Sequence, residues 1–335
     1  MPAPDASIDL AHEQTPILDR PVRDVRAWVA ADLSPETWTV PLSATALAEV
    51  GEMVASMRRH PLPMLLRSSA DFAFPELAQA LRAAKRNLEG GRGFAVIDGL
   101  PMDDHDVDDM VACFWVMGQL IGRPVAQKWD GTMVYDVADT GREYGYGVRG
   151  SYTNVELVFH TDNAFGLAVP DFVGLLCRHP AKQGGLSRFC SLYTVHNRML
   201  ERHPDLLPRL YRPMLYDRQA EHAPDGEKTV SAPFFAWDGR RLTARANVSL
   251  VRKGHEVAGV DLAPELADAL DAIEAVSNAP ELWVEAPLER GQLQYLNNRE
   301  VAHYRSTFVD HDDPARRRHL YRTWHRDRGK VTYDG

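Results

Sequence analysis

The spacing of apolar positions changes character along the chain. Ser43 precedes a run in which Leu47, Val50, Val54 and Met57 recur at helical intervals, so a helix capped by Ser43 is predicted. Pro75 opens a second helix with Leu77, Leu81 and Leu88 on one face, and Gly90-Gly91 closes it. Phe94 to Asp98 reads as a buried strand. A third helix is expected to start at Asp103 or Asp104, to turn Val107, Val111, Phe114 and Met117 inward, and to end at Gly122. Residues 1–40 are Pro-containing and weakly periodic, which predicts a loosely packed arm with one short strand at Trp38-Thr-Val.

From about residue 130 the pattern shortens to strands and turns. Strands are predicted at Thr132–Asp136, Val155–His160, Phe172–Cys177, Leu186–Cys190, Leu282–Glu285, Gly291–Leu296, Val301–His303 and Arg318–Trp324. Helices interrupt them at Leu192–Arg202 and from Pro264 through Leu266, Leu270 and Ile273. Residues 213–260 read as an irregular insert, and Arg142–Gly150 as a glycine-rich loop that is either a lid or an ordinary hairpin. Helices first and many short strands later imply an α+β fold whose strands form a sandwich or jelly roll. The expected organisation is an N-terminal arm and helices over 1–90 packed on a β domain over 91–335, the two forming one structural unit.

Composition narrows the function. The chain has 335 residues and a net charge of −9, which disfavours nucleic acid and anionic membranes as partners. No apolar run reaches transmembrane length, and no export signal is visible after Met1. Cys113, Cys177 and Cys190 are expected to be buried thiols, pointing to a cytoplasmic location. The partner expected is a small molecule, and the composition suits a monomer or a homo-oligomer equally.

The candidate chemistry centres on His160-x-Asp162. Of the His-x-acid pairs in the chain, the others being His203/Asp205, His311/Asp313 and His325/Asp327, only this one directly follows an apolar strand run. An imidazole and a carboxylate two residues apart at a strand end can hold one metal ion, and a second histidine would complete a facial triad. His303 suits that role because it alternates with apolar Val301, although a core histidine bonded to a carbonyl is the other reading. Farther on, Arg318, Leu320 and Arg322 alternate on one strand face. If that face is interior, each guanidinium needs an anion; if it is exterior, the arginines form a basic cluster beside Asp310, Asp312 and Asp313. The carboxylates Asp103, Asp104, Asp106, Asp108 and Asp109 are read as complements to a helix dipole.

The order His160-x-Asp162, Gly184-Gly185-x-Ser187, Asn298, His303-x-Arg305 and Arg317-Arg318-x-x-x-Arg322 resembles the iron(II)/2-oxoglutarate dioxygenases of the taurine dioxygenase, phenoxyacetate dioxygenase and clavaminate synthase group. That resemblance runs roughly over residues 90–327. It implies a double-stranded β-helix core with flanking helices. It implies His160, Asp162 and His303 as catalytic iron ligands, with 2-oxoglutarate as co-substrate and O2 as oxidant. Arg318 would clamp the far carboxylate of 2-oxoglutarate, with Ser187 standing where the family has threonine. Arg322 would lie nearer the iron and meet the substrate or the inner carboxylate. An aspartate at 162 implies hydroxylation rather than halogenation, with desaturation or ring closure as alternatives, and succinate and CO2 released. The substrate expected is a small anionic or zwitterionic molecule, an amino acid or natural-product intermediate, with a catabolic sulfonate or carboxylate as the alternative. Tyr144, Tyr146, Asn154, Phe235 and Trp237 are candidates to line its pocket. Two rivals use the same residues differently: a cupin-like metal hydrolase or isomerase that works without oxygen, and a non-catalytic jelly-roll binding module.

Overall fold

The structure is a computed structural model that describes residues 7–10, 16–145, 147–219 and 221–334. Two sheets lie face to face. The larger has seven strands and runs in the order Thr39–Val40, Phe94–Ile97, Leu293–Asn297, Phe172–His179, His319–Arg326 and Arg123–Val125, with Val134–Val137 also paired to His319–Arg326. The smaller has four strands in the order Trp283–Glu285, Ser187–Ser191, Val301–Arg305 and Leu157–His160. This is the α+β double-stranded β-helix, and period-two alternation explains it. Phe94, Val96, Val173 and Leu296 point between the sheets, where they meet Phe189 and Val301 of the smaller sheet. Their neighbours Ala95, Ile97, Phe172, Leu293 and Tyr295 point outward against the helices Ala44–Arg59, Pro75–Gly90 and Val107–Gly118. The Phe94 and Phe189 rings stack at 4.5 Å and tie the two sheets together.

The outer face of the smaller sheet is covered by Leu192–Arg202, Pro264–Ser277 and the segment 213–260. That segment is not irregular, as the sequence suggested. It contains the strands Met214–Asp217, Thr229–Ala232, Phe235–Trp237 and Leu242–Ala244 and the helix Val248–Ala258, which Asn247 caps through Leu250 N. A glycine inside that helix hid it from a periodicity reading. The absent side chain of Gly254 lets the helix lie on the strand Met214–Asp217, where a Cβ would sit 2.4 Å from Leu215 O.

Two further expectations change. The third helix begins at Val107, with Asp106 as its cap, not at Asp103 or Asp104. Pro101 sets a turn closed by Asp104 N–H to Pro101 O at 3.2 Å, and Asp103 instead pairs with Arg290 at 2.8 Å. The N-terminal arm is also firmly held where it is described. Trp28 is 1% exposed, its indole N–H donates to Arg92 O at 2.8 Å, and its own carbonyl accepts from Thr194 Oγ1 at 2.6 Å. Short hydrophobic anchors such as Leu18 and Trp28 have no period to reveal them. Among the described residues, no helix is long and apolar enough to cross a membrane.

Replacing Trp28 with alanine is expected to remove about 3–5 kcal/mol of stability, seen as a lower urea midpoint. A midpoint equal to wild type would show that the arm contributes nothing to the cooperative unit.

Candidate metal centre and anion site

Sheet register brings the two histidines together. His303 on Val301–Arg305 pairs directly with His160 on Leu157–His160, and their rings lie 4.2 Å apart. A bulge follows, so that Arg305 pairs with Leu157. Asp162 turns back toward both rings because Asn298 holds its backbone. Asp162 N–H donates to Asn298 Oδ1 at 2.7 Å, while Asn298 Nδ2 donates to Asp162 O at 2.9 Å and to Pro170 O at 3.1 Å. Thr161 N–H adds a bond to Ala246 O at 2.7 Å. One ligand atom from each of His160, Asp162 and His303 falls within 4.8 Å of the others.

The two oxygens of Asp162 are differently used. Oδ2 accepts from Trp324 Nε1 at 2.8 Å and from Arg322 Nη1 at 2.9 Å. Oδ1 lies 3.6 Å from His160 Nε2 and 3.6 Å from His303 Nε2. His160 Nδ1 faces Val158 O at 2.8 Å; a carbonyl only accepts, so Nδ1 carries a proton and Nε2 is the nitrogen turned toward Asp162. Burial would raise the Asp162 carboxyl, but Arg322 and then the histidines outweigh it and hold the group well below the usual carboxylate range. Burial, reinforced by His160, pushes the His303 imidazole down to about 3, so it is neutral at physiological pH. Two imidazoles and a carboxylate make a donor set suited to iron(II).

Arg318 lies in the interior, 6% exposed, not in a surface basic cluster. Burial lowers its guanidinium to about 10, no carboxylate lies within ion-pair distance among the described residues, and its Nη1 is buried without a partner. Gly184 and Gly185 both have positive φ, at 76° and 67°. A Cβ on Gly185 would approach Arg318 Nε to 2.9 Å, so that glycine is what lets the arginine lie against the backbone, while a Cβ on Gly184 would meet Thr307 O at 2.2 Å. Ser187, two residues on, makes no side-chain hydrogen bond among the described residues and pairs across the sheet with Arg305. This unspent donor set fits a carboxylate. Arg322 also has partners that the sequence did not show: besides Asp162 it donates to Gln127 Oε1 at 2.9 Å and packs on the rings of Tyr135 and Trp324.

A cavity of about 250 Å³ opens onto His160, Asp162 and Arg322. Both the glycine-rich loop and the 213–260 segment form its walls, through Tyr144, Arg149 and Gly150 on one side and Gln219, Asn247 and Leu250 on the other. Arg149 joins the two walls by pairing with Glu221 at 2.6 Å. Of the other proposed lining residues, Phe235 is core, packed edge-on to His196, and Trp237 packs against the same cluster. Asn154 contributes its carbonyl to Phe308 N–H at 3.3 Å, and Tyr146 lies outside the described residues. Trp324 and Gln127 were not foreseen. Trp324 shares a strand face with Arg322, which was the available signal; Gln127 had none.

The family model described as "Taurine catabolism dioxygenase TauD, TfdA family" matches residues 58–324. The chain belongs to the TauD/TfdA family. It is a non-haem dioxygenase that uses iron(II), 2-oxoglutarate and O2. Within reach of this TauD/TfdA chain is the FR-33289 synthase of Streptomyces rubellomurinus, 27% identical over 92% of this chain and 91% of the relative. The taurine hydroxylase-like protein SAT17 of Stachybotrys chartarum is 25% identical over 90% of this chain and 78% of that one. Among solved structures, asparagine oxygenase in complex with Fe(II), 2S,3S-3-hydroxyasparagine and succinate superposes with a TM-score of 0.66 at 21% identity, covering 87% of this chain and 94% of its own. The non-haem iron oxygenase OrfP in complex with Fe and alpha-ketoglutaric acid gives 0.65 at 16% identity, with the same coverage of 87% and 94%.

Trp324→Phe keeps an aromatic ring but removes the donor to Asp162 Oδ2. Metal affinity is expected to fall roughly 10–100-fold, measured by anaerobic titration with Fe(II). Unchanged affinity would show that Arg322 alone orients the carboxylate.

Proposed function

We propose that the chain hydroxylates an unactivated C–H bond of a small zwitterionic or anionic molecule, an amino acid or a natural-product intermediate, with His160, Asp162 and His303 as its iron ligands. One observation carries the reading: Asp162 Oδ1 stands 3.6 Å from both histidine Nε2 atoms while Oδ2 is fully engaged elsewhere. Bound iron(II) couples O2 reduction to decarboxylation of 2-oxoglutarate, giving succinate and CO2 as a substrate C–H bond is oxidised.

The chain's own residues do the positioning. Arg318 and the Ser187 hydroxyl hold the far carboxylate of 2-oxoglutarate; the buried, partnerless Nη1 of Arg318 supports this. Arg322 fixes Asp162 and keeps positive charge at the inner end of the cavity, where an anionic group of the substrate or the inner carboxylate of the co-substrate arrives. The cavity wall carries both signs, with Glu156 alongside Arg149 and Arg322, which suits a zwitterion. The asparagine oxygenase and OrfP structures, which hold 3-hydroxyasparagine and (3S)-hydroxy-L-Arg, support an amino-acid class. Three buried free thiols support a cytoplasmic location.

The test is succinate release with Fe(II), ascorbate and 2-oxoglutarate across a panel of amino acids, small sulfonates and small carboxylates. Asp162→Ala and His303→Ala are each expected to abolish turnover; full 2-oxoglutarate consumption by either would remove that residue from the ligand set. Arg318→Met is expected to raise KM for 2-oxoglutarate about tenfold or more while affecting kcat less.

A further inference from the structure

Arg305 is the second buried arginine beside the anion site, and the proposed mechanism leaves it idle. It lies two residues beyond His303 on the same strand, so both side chains leave the same face. It is directly across from Ser187 in the neighbouring strand. Its guanidinium carbon is 5.0 Å from the centre of the Phe308 ring, and that of Arg318 is 5.1 Å from the same ring. No carboxylate lies within ion-pair distance of it among the described residues, and its Nε and Nη1 are buried without partners. Its remaining nitrogen is committed: Nη2 donates to Thr153 O at 2.9 Å, to Val155 O, and reaches Gly150 O at 3.5 Å.

Two guanidiniums flanking one phenyl ring, each with unspent N–H groups, repel one another and leave donors desolvated. A carboxylate brought to Ser187 and Arg318 relieves both effects. We infer that Arg305 is a second cation for the far carboxylate of 2-oxoglutarate and that it couples co-substrate binding to the substrate cavity. This rests on the reading of Arg318 and Ser187 given above. The coupling follows from the committed nitrogen. The carbonyls it holds, those of Gly150, Thr153 and Val155, run from the end of the glycine-rich loop to the His160 strand, and Gly150 and Ser151 there form cavity wall. A co-substrate carboxylate that draws on Nε and Nη1 fixes the same guanidinium that fixes this wall. The arrangement orders the wall for substrate after 2-oxoglutarate has bound.

The experiment is calorimetric titration of 2-oxoglutarate into protein loaded with Mn(II), comparing wild type with Arg305→Gln, Arg305→Lys and Arg318→Met, each also titrated with Mn(II) alone. Arg305→Gln is expected to weaken 2-oxoglutarate about tenfold or more, Arg305→Lys to recover part of the loss, and Mn(II) affinity to stay at the wild-type value in both. In the wild type, 2-oxoglutarate should also slow tryptic cleavage within residues 142–150. This arm needs no variant to fold, and absence of slowing overturns the coupling. Wild-type 2-oxoglutarate affinity in Arg305→Gln, with Arg318→Met impaired, overturns the role of Arg305 and leaves the Arg318 reading standing. If Arg318→Met also binds as wild type, the anion site itself is misassigned and the inference goes with it.

Discussion

The centre depends on how one carboxylate is divided. Asp162 is offered to the histidines through Oδ1 only because Oδ2 is occupied by Arg322 and Trp324. Those two residues come from the larger sheet, whereas His160 and His303 belong to the smaller one. The divided carboxylate therefore spans the sandwich, and its geometry is set by the spacing of the sheets. That spacing is fixed by packing between them, with Phe94 and Phe189 in the middle. A stacked aromatic pair in the core is in this sense part of the metal centre.

Charge is distributed unevenly between interior and surface. The chain is acidic overall, at −9, yet the half-buried Arg245 and the buried Arg305 and Arg318 have no carboxylate within ion-pair distance among the described residues. Arg245 spends its donors on Ala164 O at 2.9 Å and Gly166 O at 2.7 Å, bracing the turn that follows Asp162. Burial lowers all three guanidiniums, Arg305 to about 9 with Arg318 as the second cause. A net charge computed over the whole sequence does not reveal cations placed in the interior of an acidic chain.

Much of this was visible in the amino-acid order. Helical spacing at Val50–Met57 and Leu77–Leu88 located two helices to within a few residues, because each buries one regular face, although Leu47 is exposed and Ala46 is buried instead. The position of His160-x-Asp162 after an apolar run singled out the pair that converges with His303. Arg318 and Arg322 were read on one face, and that face is interior. What was hidden has no local signature. Short strands in 213–260 are defined by partners far away in the chain, and the arm by isolated anchors. The bond from Arg322 to Asp162 links strands of different sheets, and the idle nitrogens of Arg305 exist only once the fold has excluded every acid from their reach.

The bulge beside His303 has a bearing on how the protein can fail. His303 and Arg305 share one strand, and their cross-strand neighbours are His160, Ser187 and Leu157. Slippage of that strand by a single position would turn the imidazole and the guanidinium outward together. On the roles proposed for His303 and Arg305, backbone damage here is all-or-none: it cannot leave an enzyme that holds its ion yet has forgotten its keto acid. Such half-competent forms are reachable only by exchanging one side chain at a time, which makes the two affinities separable by mutation though inseparable by misfolding.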